Sequence, residues 1–507
     1  MTGRRRTALA FFSGAVFAAS SPPTDFVAGI LVGLVGYAYA VANDPHGGRR
    51  GLAFGTGANL VALRFVPAVI TRFTPLPYAA GVLALILLSL AQGLPWMAGG
   101  AITRMLGNRV PSLPKPFAFA VGVYAALFVP AVFPWTPAGG LAPWPILLQT
   151  AEIVGERGTS FFVALGCGCI ALAVVERTRA VRLVIAGGIL FATLVGLGAV
   201  RMRAIERARA GAAHSRVALV SPDFAATDRW EEAHAPMMLD RLTSLTKSAE
   251  QRGADLTVWP ESAYPYTLPH GTRQSPTGRR AFLQEGVHGP VLAGVYMKGG
   301  HGAGYNSAVL VTPDGAISRS YDKRHLLWFG ETVPLADKVS FIRRAFGRAT
   351  GLEPGDESIL FESGAVRAAV LNCYEDTLPD ASREAIEIRP NLLVNITNDA
   401  WFAGSAESEL HLRLAVLRAV ETRRDLVRAV NRGPTTWVAA SGAILARREP
   451  QVGLGPQPAL IVEPALLEGP ITLYARVADA PLLLVLSVLL GVLRIRTVRS
   501  HSVRMDA

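Results

Sequence analysis

The run Val370-Leu371-Asn372-Cys373-Tyr374-Glu375-Asp376 sets the reading of this 507-residue chain. An apolar, strand-like stretch ends in a thiol, and acidic residues follow at once. Of three cysteines, only Cys373 lies outside the apolar helix-like segments; Cys167 and Cys169 read as helix-packing residues, so no disulfide framework is implied. Two charged groups upstream sit in comparably distinctive runs. Glu261 ends Val258-Trp259-Pro260-Glu261, and Lys323 lies in Tyr321-Asp322-Lys323-Arg324-His325. A thiol, a carboxylate and an ammonium are the parts needed to activate a thiolate, move a proton and stabilise an oxyanion.

Around Cys373, short β-like runs alternate with amphipathic helical stretches. Residues 217–220, 256–259, 291–295, 308–311, 368–371 and 392–396 read as strands, and 236–252 and 408–424 as helices. This alternation predicts an α/β layered domain with buried strands. Glu261 and Cys373 closely follow strand-like runs, and Lys323 lies a short way beyond one. Strand ends are where such folds usually place chemistry.

Outside that block the composition changes. Half of the chain is hydrophobic and only 17% is charged, whereas roughly a quarter is usual for a soluble protein. The apolar excess falls in residues 7–200 and 480–493. Spans are expected near 7–22, 26–42, 52–70, 78–98, 117–134, 160–176 and 183–200, then 480–494. The first is read as an uncleaved anchor rather than a signal peptide. Residues 134–156, rich in Pro, Gly and Trp, read as a loop or interfacial helix. The expected organisation is a membrane domain of about seven spans at 1–200, a catalytic domain at 201–478, and a last span with a short cytoplasmic tail at 479–507.

The net charge is +12, which would suit nucleic acid. Many of the basic residues, however, fall in alternate short loops between spans: Arg4 to Arg6, Arg49 and Arg50, Arg104, Arg109 and Lys115, Arg177, Arg179 and Arg182, and Arg494 onward. That is the positive-inside pattern. It argues against a nucleic-acid partner and puts the globular block on the outer face. The histidines, His411 among them, show no zinc-ligand spacing, so neither a metal nor a cofactor is expected.

Trp-Pro-Glu, Tyr-Asp-Lys-Arg-His and Cys-Tyr-Glu, in that order, resemble the nitrilase superfamily of carbon–nitrogen hydrolases. The resemblance implies a Glu-Lys-Cys triad on an αββα sandwich. The run from Asp322 through Trp328-Phe329-Gly330-Glu331-Thr332-Val333-Pro334 narrows it to the apolipoprotein N-acyltransferase family. Asn398-Asp399-Ala400-Trp401-Phe402, the helix from Leu410 to Glu421 and Thr472-Leu473-Tyr474-Ala475-Arg476 are similar to other motifs of that family. Carried over by position, Cys373 would be the nucleophile, Glu261 the general base and Lys323 the oxyanion stabiliser. Glu331 would be the additional active-site glutamate. Tyr374 and Glu375 would flank the acyl site, and Trp230 and Trp401 would lie on substrate loops. Asn372 stands where the family usually has an apolar residue.

The resemblance implies transfer of an acyl chain from a phospholipid, through a Cys373 thioester, to the N-terminal amine of a diacylated apolipoprotein. The setting would be a bacterial inner membrane, with the catalytic domain on the periplasmic face. A membrane-tethered nitrilase-type amidase, in which water resolves the acyl-enzyme, is the competing reading. An acyltransferase with another amine acceptor is a third. A non-catalytic scaffold is disfavoured, because Glu261, Lys323, Glu331 and Cys373 are all retained.

Overall fold

The computed structural model of the protein describes residues 2–74, 76–302, 304–328, 330–332 and 351–505, with the side chains of Trp230, His301 and 496–505 outside that description. The chain divides into two compact units. Residues 1–202 with 476–507 form one, and residues 203–475 the other.

The first unit is helical. Among the described residues, three helices are long and apolar enough to cross a membrane: Tyr78–Arg109, Ala151–Val175 and the run Arg177–Ala210. A fourth crossing results if Gly47–Ala62 and Val66–Phe73, bent by 54°, count as one. Of the expected spans, those at 52–70 and 117–134 meet backbone breaks that apolar content does not register. The segment at 52–70 breaks ahead of Pro67, whose ring opposes continuation of a helix. The segment at 117–134 ends as helix at Ala126, before Pro130 and Pro134. Helices Gly29–Val41 (13 residues) and Lys115–Ala126 (12 residues) are shorter than the ~20 residues a span needs.

Small residues let these helices approach closely. A Cβ on Gly51 would lie 1.9 Å from the carbonyl oxygen of Trp96, so glycine is required there. Gln92, buried in the helix Tyr78–Arg109, donates to the carbonyl of Phe133 at 2.9 Å and accepts from the Val132 N–H at 2.8 Å. It satisfies backbone that the prolines leave outside any helix.

The second unit is an αββα sandwich. One sheet has the spatial order Leu460–Val462, Val217–Leu219, Leu256–Val258, Val291–Lys298, Gly304–Val311, Tyr321–Asp322. The other runs Ile444–Arg448, Thr435–Val438, Asp425–Asn431, Leu392–Asn398, Val366–Asn372, Leu360–Ser363. Each sheet has a parallel centre: Val217–Leu219, Leu256–Val258 and Val291–Lys298 in the first, and Val366–Asn372, Leu392–Asn398 and Asp425–Asn431 in the second.

Alternation of side chains builds two cores. Val217, Leu219, Leu292, Ala308 and Leu310 meet Ala368, Val370, Val394 and Ile396 between the sheets. Ala218, Val220, Ala293, Val295 and Val309 point the other way, onto Met238, Leu239 and Leu242 of the helix Ala235–Gln251. Strands covered on both faces need apolar residues at successive positions, which the sequence supplies. Helices Pro379–Glu387 and Glu407–Thr422 pack on the second sheet.

Candidate active site

Glu261 stands just beyond the C-terminal end of the strand Leu256–Val258, and the backbone turns sharply there, with Ser262 at φ 50°. The strand Val291–Lys298 passes close beneath. A Cβ on Gly294 would sit 2.3 Å from the Pro260 carbonyl and 2.7 Å from the Glu261 Cα, so only glycine admits the turn. Lys323 follows the short strand Tyr321–Asp322 and is held by its backbone, its N–H donating to the Asn306 carbonyl at 2.8 Å.

The side chains converge. Lys323 Nζ lies 2.7 Å from Glu331 Oε2 and 3.6 Å from Glu261 Oε1, and Lys323 is only 1% exposed. The Asn306 amide spans both acids, donating to Glu261 Oε1 at 2.7 Å and Glu331 Oε1 at 3.0 Å. Glu261 Oε2 accepts from the Asn398 N–H at 3.0 Å, and Glu331 Oε2 from the Leu327 N–H at 2.9 Å. Burial works against the Lys323 charge, but Glu331, then Glu261, outweigh it and hold the ammonium well above the ordinary lysine range. Burial also opposes the Glu331 charge; Lys323 with the Leu327 N–H prevails and holds that carboxyl below its usual value.

Cys373 ends the strand Val366–Asn372 and opens the 3-10 turn Cys373–Thr377, in the left-handed region at φ 53°. Non-glycine residues rarely adopt that conformation, and at strand ends it commonly accompanies function. The thiol is half-buried. Burial, and then the field of Glu261, push its pKa well up, and Lys323 offsets only part of this. A thiolate here would face Glu261, Glu331 and Asp399 with Lys323 in compensation. The resting group is therefore the thiol, and attack requires a base that takes the proton as the new bond forms.

The Apolipoprotein N-acyltransferase N-terminal domain model matches residues 13–169, and the Carbon-nitrogen hydrolase model matches residues 216–456. An apolipoprotein N-acyltransferase of Brucella suis biovar 1 is 31% identical over 501 residues, covering 88% of this chain and 87% of that protein. This chain belongs to the apolipoprotein N-acyltransferase family. Another relative of the same name, from Allorhizobium ampelinum, is 29% identical over 475 residues, with 88% of each chain covered. Among solved structures, an amidase from Nesterenkonia sp. AN1 matches 53% of this chain and 98% of its own, at 19% identity and a TM-score of 0.38. The chain is thus an acyltransferase with a carbon–nitrogen hydrolase fold and a multi-pass helical membrane part.

The remaining residues that the sequence nominates divide into two groups. Tyr374 and Trp401 are half-buried beside the site, Trp401 closing the turn Asp399–Trp401. The turn Asp228–Trp230 is tied next to Glu261, because Arg229 donates to the carbonyls of Ser262 and Tyr264; the Trp230 side chain lies outside the described residues. Phe329, Val333 and Pro334 of the lysine motif also lie outside them. Glu375 is different. It was expected to flank the acyl site, but it is fully buried and accepts from the N–H groups of Asn372, Arg324 and His325 and from the Tyr321 hydroxyl. It fastens the lysine loop to the cysteine turn.

Sequence reasoning missed Asn306. Its one signal is a carboxamide inside the largely apolar strand Gly304–Val311, and a buried polar group needs partners. Asn306→Leu leaves two buried carboxylate oxygens short of a donor. The expected cost is about 1–3 kcal/mol, read as a lower melting temperature with slower acylation of Cys373. An unchanged melting temperature would contradict this role.

A buried charged cluster behind Cys373 was also missed. Asp399, Glu407 and His411 bring ligand-type atoms within 4.8 Å of one another, a grouping that their spacing along the chain does not reveal. The charges there balance without an added ion. His411 and Arg428 face Asp376, and His411 also faces Asp399. Burial opposes the His411 charge, but Asp376 pushes its imidazole up to about 10. Burial, followed by Asp399, pushes Glu407 up to about 8, leaving it largely neutral at pH 7.

Proposed function

We propose that this enzyme transfers an acyl chain from a phospholipid, through a thioester on Cys373, to the N-terminal amine of a diacylglyceryl-cysteine lipoprotein at the outer face of the inner membrane. The observation that carries the reading is Lys323, buried between Glu261 and Glu331 in the field of the half-buried thiol. The apolipoprotein acceptor comes from the names of the relatives, and the phospholipid donor from what the family resemblance implies.

In the first half-reaction the Cys373 sulfur attacks the ester carbonyl carbon while Glu261 takes the thiol proton. The carbonyl oxygen becomes an oxyanion beside the Lys323 ammonium. Collapse breaks the ester C–O bond, and Glu261 returns the proton to the departing lysophospholipid oxygen. In the second half-reaction the lipoprotein amine attacks the thioester carbonyl, the C–S bond breaks, and the amine's surplus proton passes through Glu261 to the sulfur. Glu331 holds the ammonium in place.

Acceptor identity separates this reading from an amidase. Enzyme loaded with phospholipid in the absence of amine is expected to accumulate a Cys373 thioester by intact mass. A diacylglyceryl-cysteine peptide should discharge it far faster than buffer does. Equal decay with and without the peptide would favour hydrolysis and sink the acceptor assignment.

Orientation rests on the alternating loop charge. Arg279 is exposed in the catalytic unit, so Arg279→Cys should react with a membrane-impermeant maleimide in intact spheroplasts. Labelling confined to lysed cells would place the catalytic unit inside.

A further inference from the structure

We propose that His411 is a positioning residue for this acyl transfer, acting on the backbone of the nucleophile's turn rather than on the thiol. The inference builds on the reading of Cys373 as nucleophile. His411 lies within the helix Glu407–Thr422, is 3% exposed, and directs Nε2 at both ends of the turn Cys373–Thr377. That nitrogen is 2.6 Å from Asp376 Oδ1 and 3.2 Å from the Cys373 carbonyl oxygen. One N–H is thus shared, with its shorter branch on the carboxylate.

Two other elements hold the same turn. Arg428, from the strand Asp425–Asn431, donates Nε to Asp376 Oδ2 at 2.9 Å. Asn395, from the central strand Leu392–Asn398, donates to the carbonyls of Leu371 at 3.0 Å and Cys373 at 3.3 Å. On its far side, His411 Nδ1 lies 3.6 Å from Asp399, next to Asn398, whose N–H binds Glu261. One imidazole therefore connects the nucleophile's turn to the loop that orients the base.

The left-handed backbone at Cys373 needs such support. A non-glycine residue pays on the order of 1–2 kcal/mol for it, and the conformation persists only where neighbours over-determine it. Without the His411 donor, the Cys373 carbonyl loses its charged partner and keeps only the longer Asn395 bond at 3.3 Å, so the turn is held less tightly. The thiol and the N–H that follows it then lose their register with Glu261 and Lys323. Misplacement of about 1 Å can cost ~10²-fold in rate.

The test compares His411→Leu, which fills the space without a donor, with His411→Gln, whose amide nitrogen reaches as Nε2 does. Three readouts are taken: single-turnover thioester formation across donor concentrations, the rate of Cys373 alkylation by iodoacetamide, and the melting temperature. His411→Leu is expected to lower the maximal acylation rate about 10²-fold at an unchanged half-saturating donor concentration. Its alkylation rate should also shift. His411→Gln should recover most of the loss.

A folded His411→Leu protein that acylates like wild type overturns the proposal. So does a His411→Gln protein as impaired as His411→Leu with an equally lowered melting temperature, which marks a purely structural histidine. If His411→Leu does not fold, Asp376→Asn takes its place. It must lower the maximal rate at unchanged half-saturation, and a wild-type rate there overturns the proposal. Alkylation reads thiol placement without any acyl chemistry. If Cys373→Ser still forms an acyl-enzyme, the nucleophile assignment fails, and the alkylation comparison alone decides the role of His411.

Discussion

Cys373→Ser is expected to abolish acyl-enzyme formation and all downstream transfer while leaving a folded protein. The exchange replaces sulfur by oxygen in a half-buried position and changes little volume, so packing of the turn Cys373–Thr377 is kept. The chemistry is not. The resting thiol already lies well above its ordinary pKa, through burial and the neighbouring carboxylates. A serine hydroxyl is intrinsically a much weaker acid in the same surroundings, and Glu261 would have to deprotonate it without the reactivity of sulfur. The measurement is intact mass after incubation with phospholipid, paired with lysophospholipid release and a thermal melt. A serine variant that transfers acyl chains at near-normal rate would rule out the thioester.

Cys373, Glu261 and Lys323 could be nominated from sequence because each stands beside a strand-like run, in local company that differs from the apolar residues around it. Their convergence could not. Glu261 and Lys323 come from one sheet and Cys373 from the other, and the register that joins them is set by side chains packing between the sheets. Asn306 and His411 stayed hidden for a related reason. Each sits in the middle of an element, where sequence alone makes a polar residue look like a solvated face. Their role appears only once Asn306 is found between two acids and His411 beneath the turn.

Glu375 supports the site in a way that its sequence position does not reveal. It stands two residues beyond Cys373, yet the 3-10 turn directs its carboxylate inward onto backbone N–H groups. In the membrane part, apolar content continues through the prolines that interrupt the helices at 52–70 and 117–134. The αββα layering, by contrast, was legible from the resemblance, and the period-2 alternation of its strands accords with it.

Lys323→Ala is expected to slow acyl-enzyme formation by about 10²–10³-fold, the usual cost of losing one group aimed at a developing oxyanion. The ammonium is buried and pinned by Glu331 at 2.7 Å, so it needs no reorganisation when the carbonyl oxygen becomes charged. Its removal also leaves Glu261 and Glu331 facing each other with Asn306 as their shared donor. Breaking a buried ion pair by deleting one partner commonly costs about 3–5 kcal/mol, so the melting temperature should fall as well. Rates must therefore be taken well below the transition, on protein shown to be folded. The experiment is a single turnover with phospholipid and no amine, following lysophospholipid and protein mass. Glu261→Ala should fail at the same step, because the thiol proton has no acceptor. Trp401→Ala, on the turn after Asn398, should acylate more normally and lose mainly the second step. If Lys323→Ala accumulates thioester as fast as wild type, the oxyanion is stabilised elsewhere, and the Tyr374 N–H becomes the group to test.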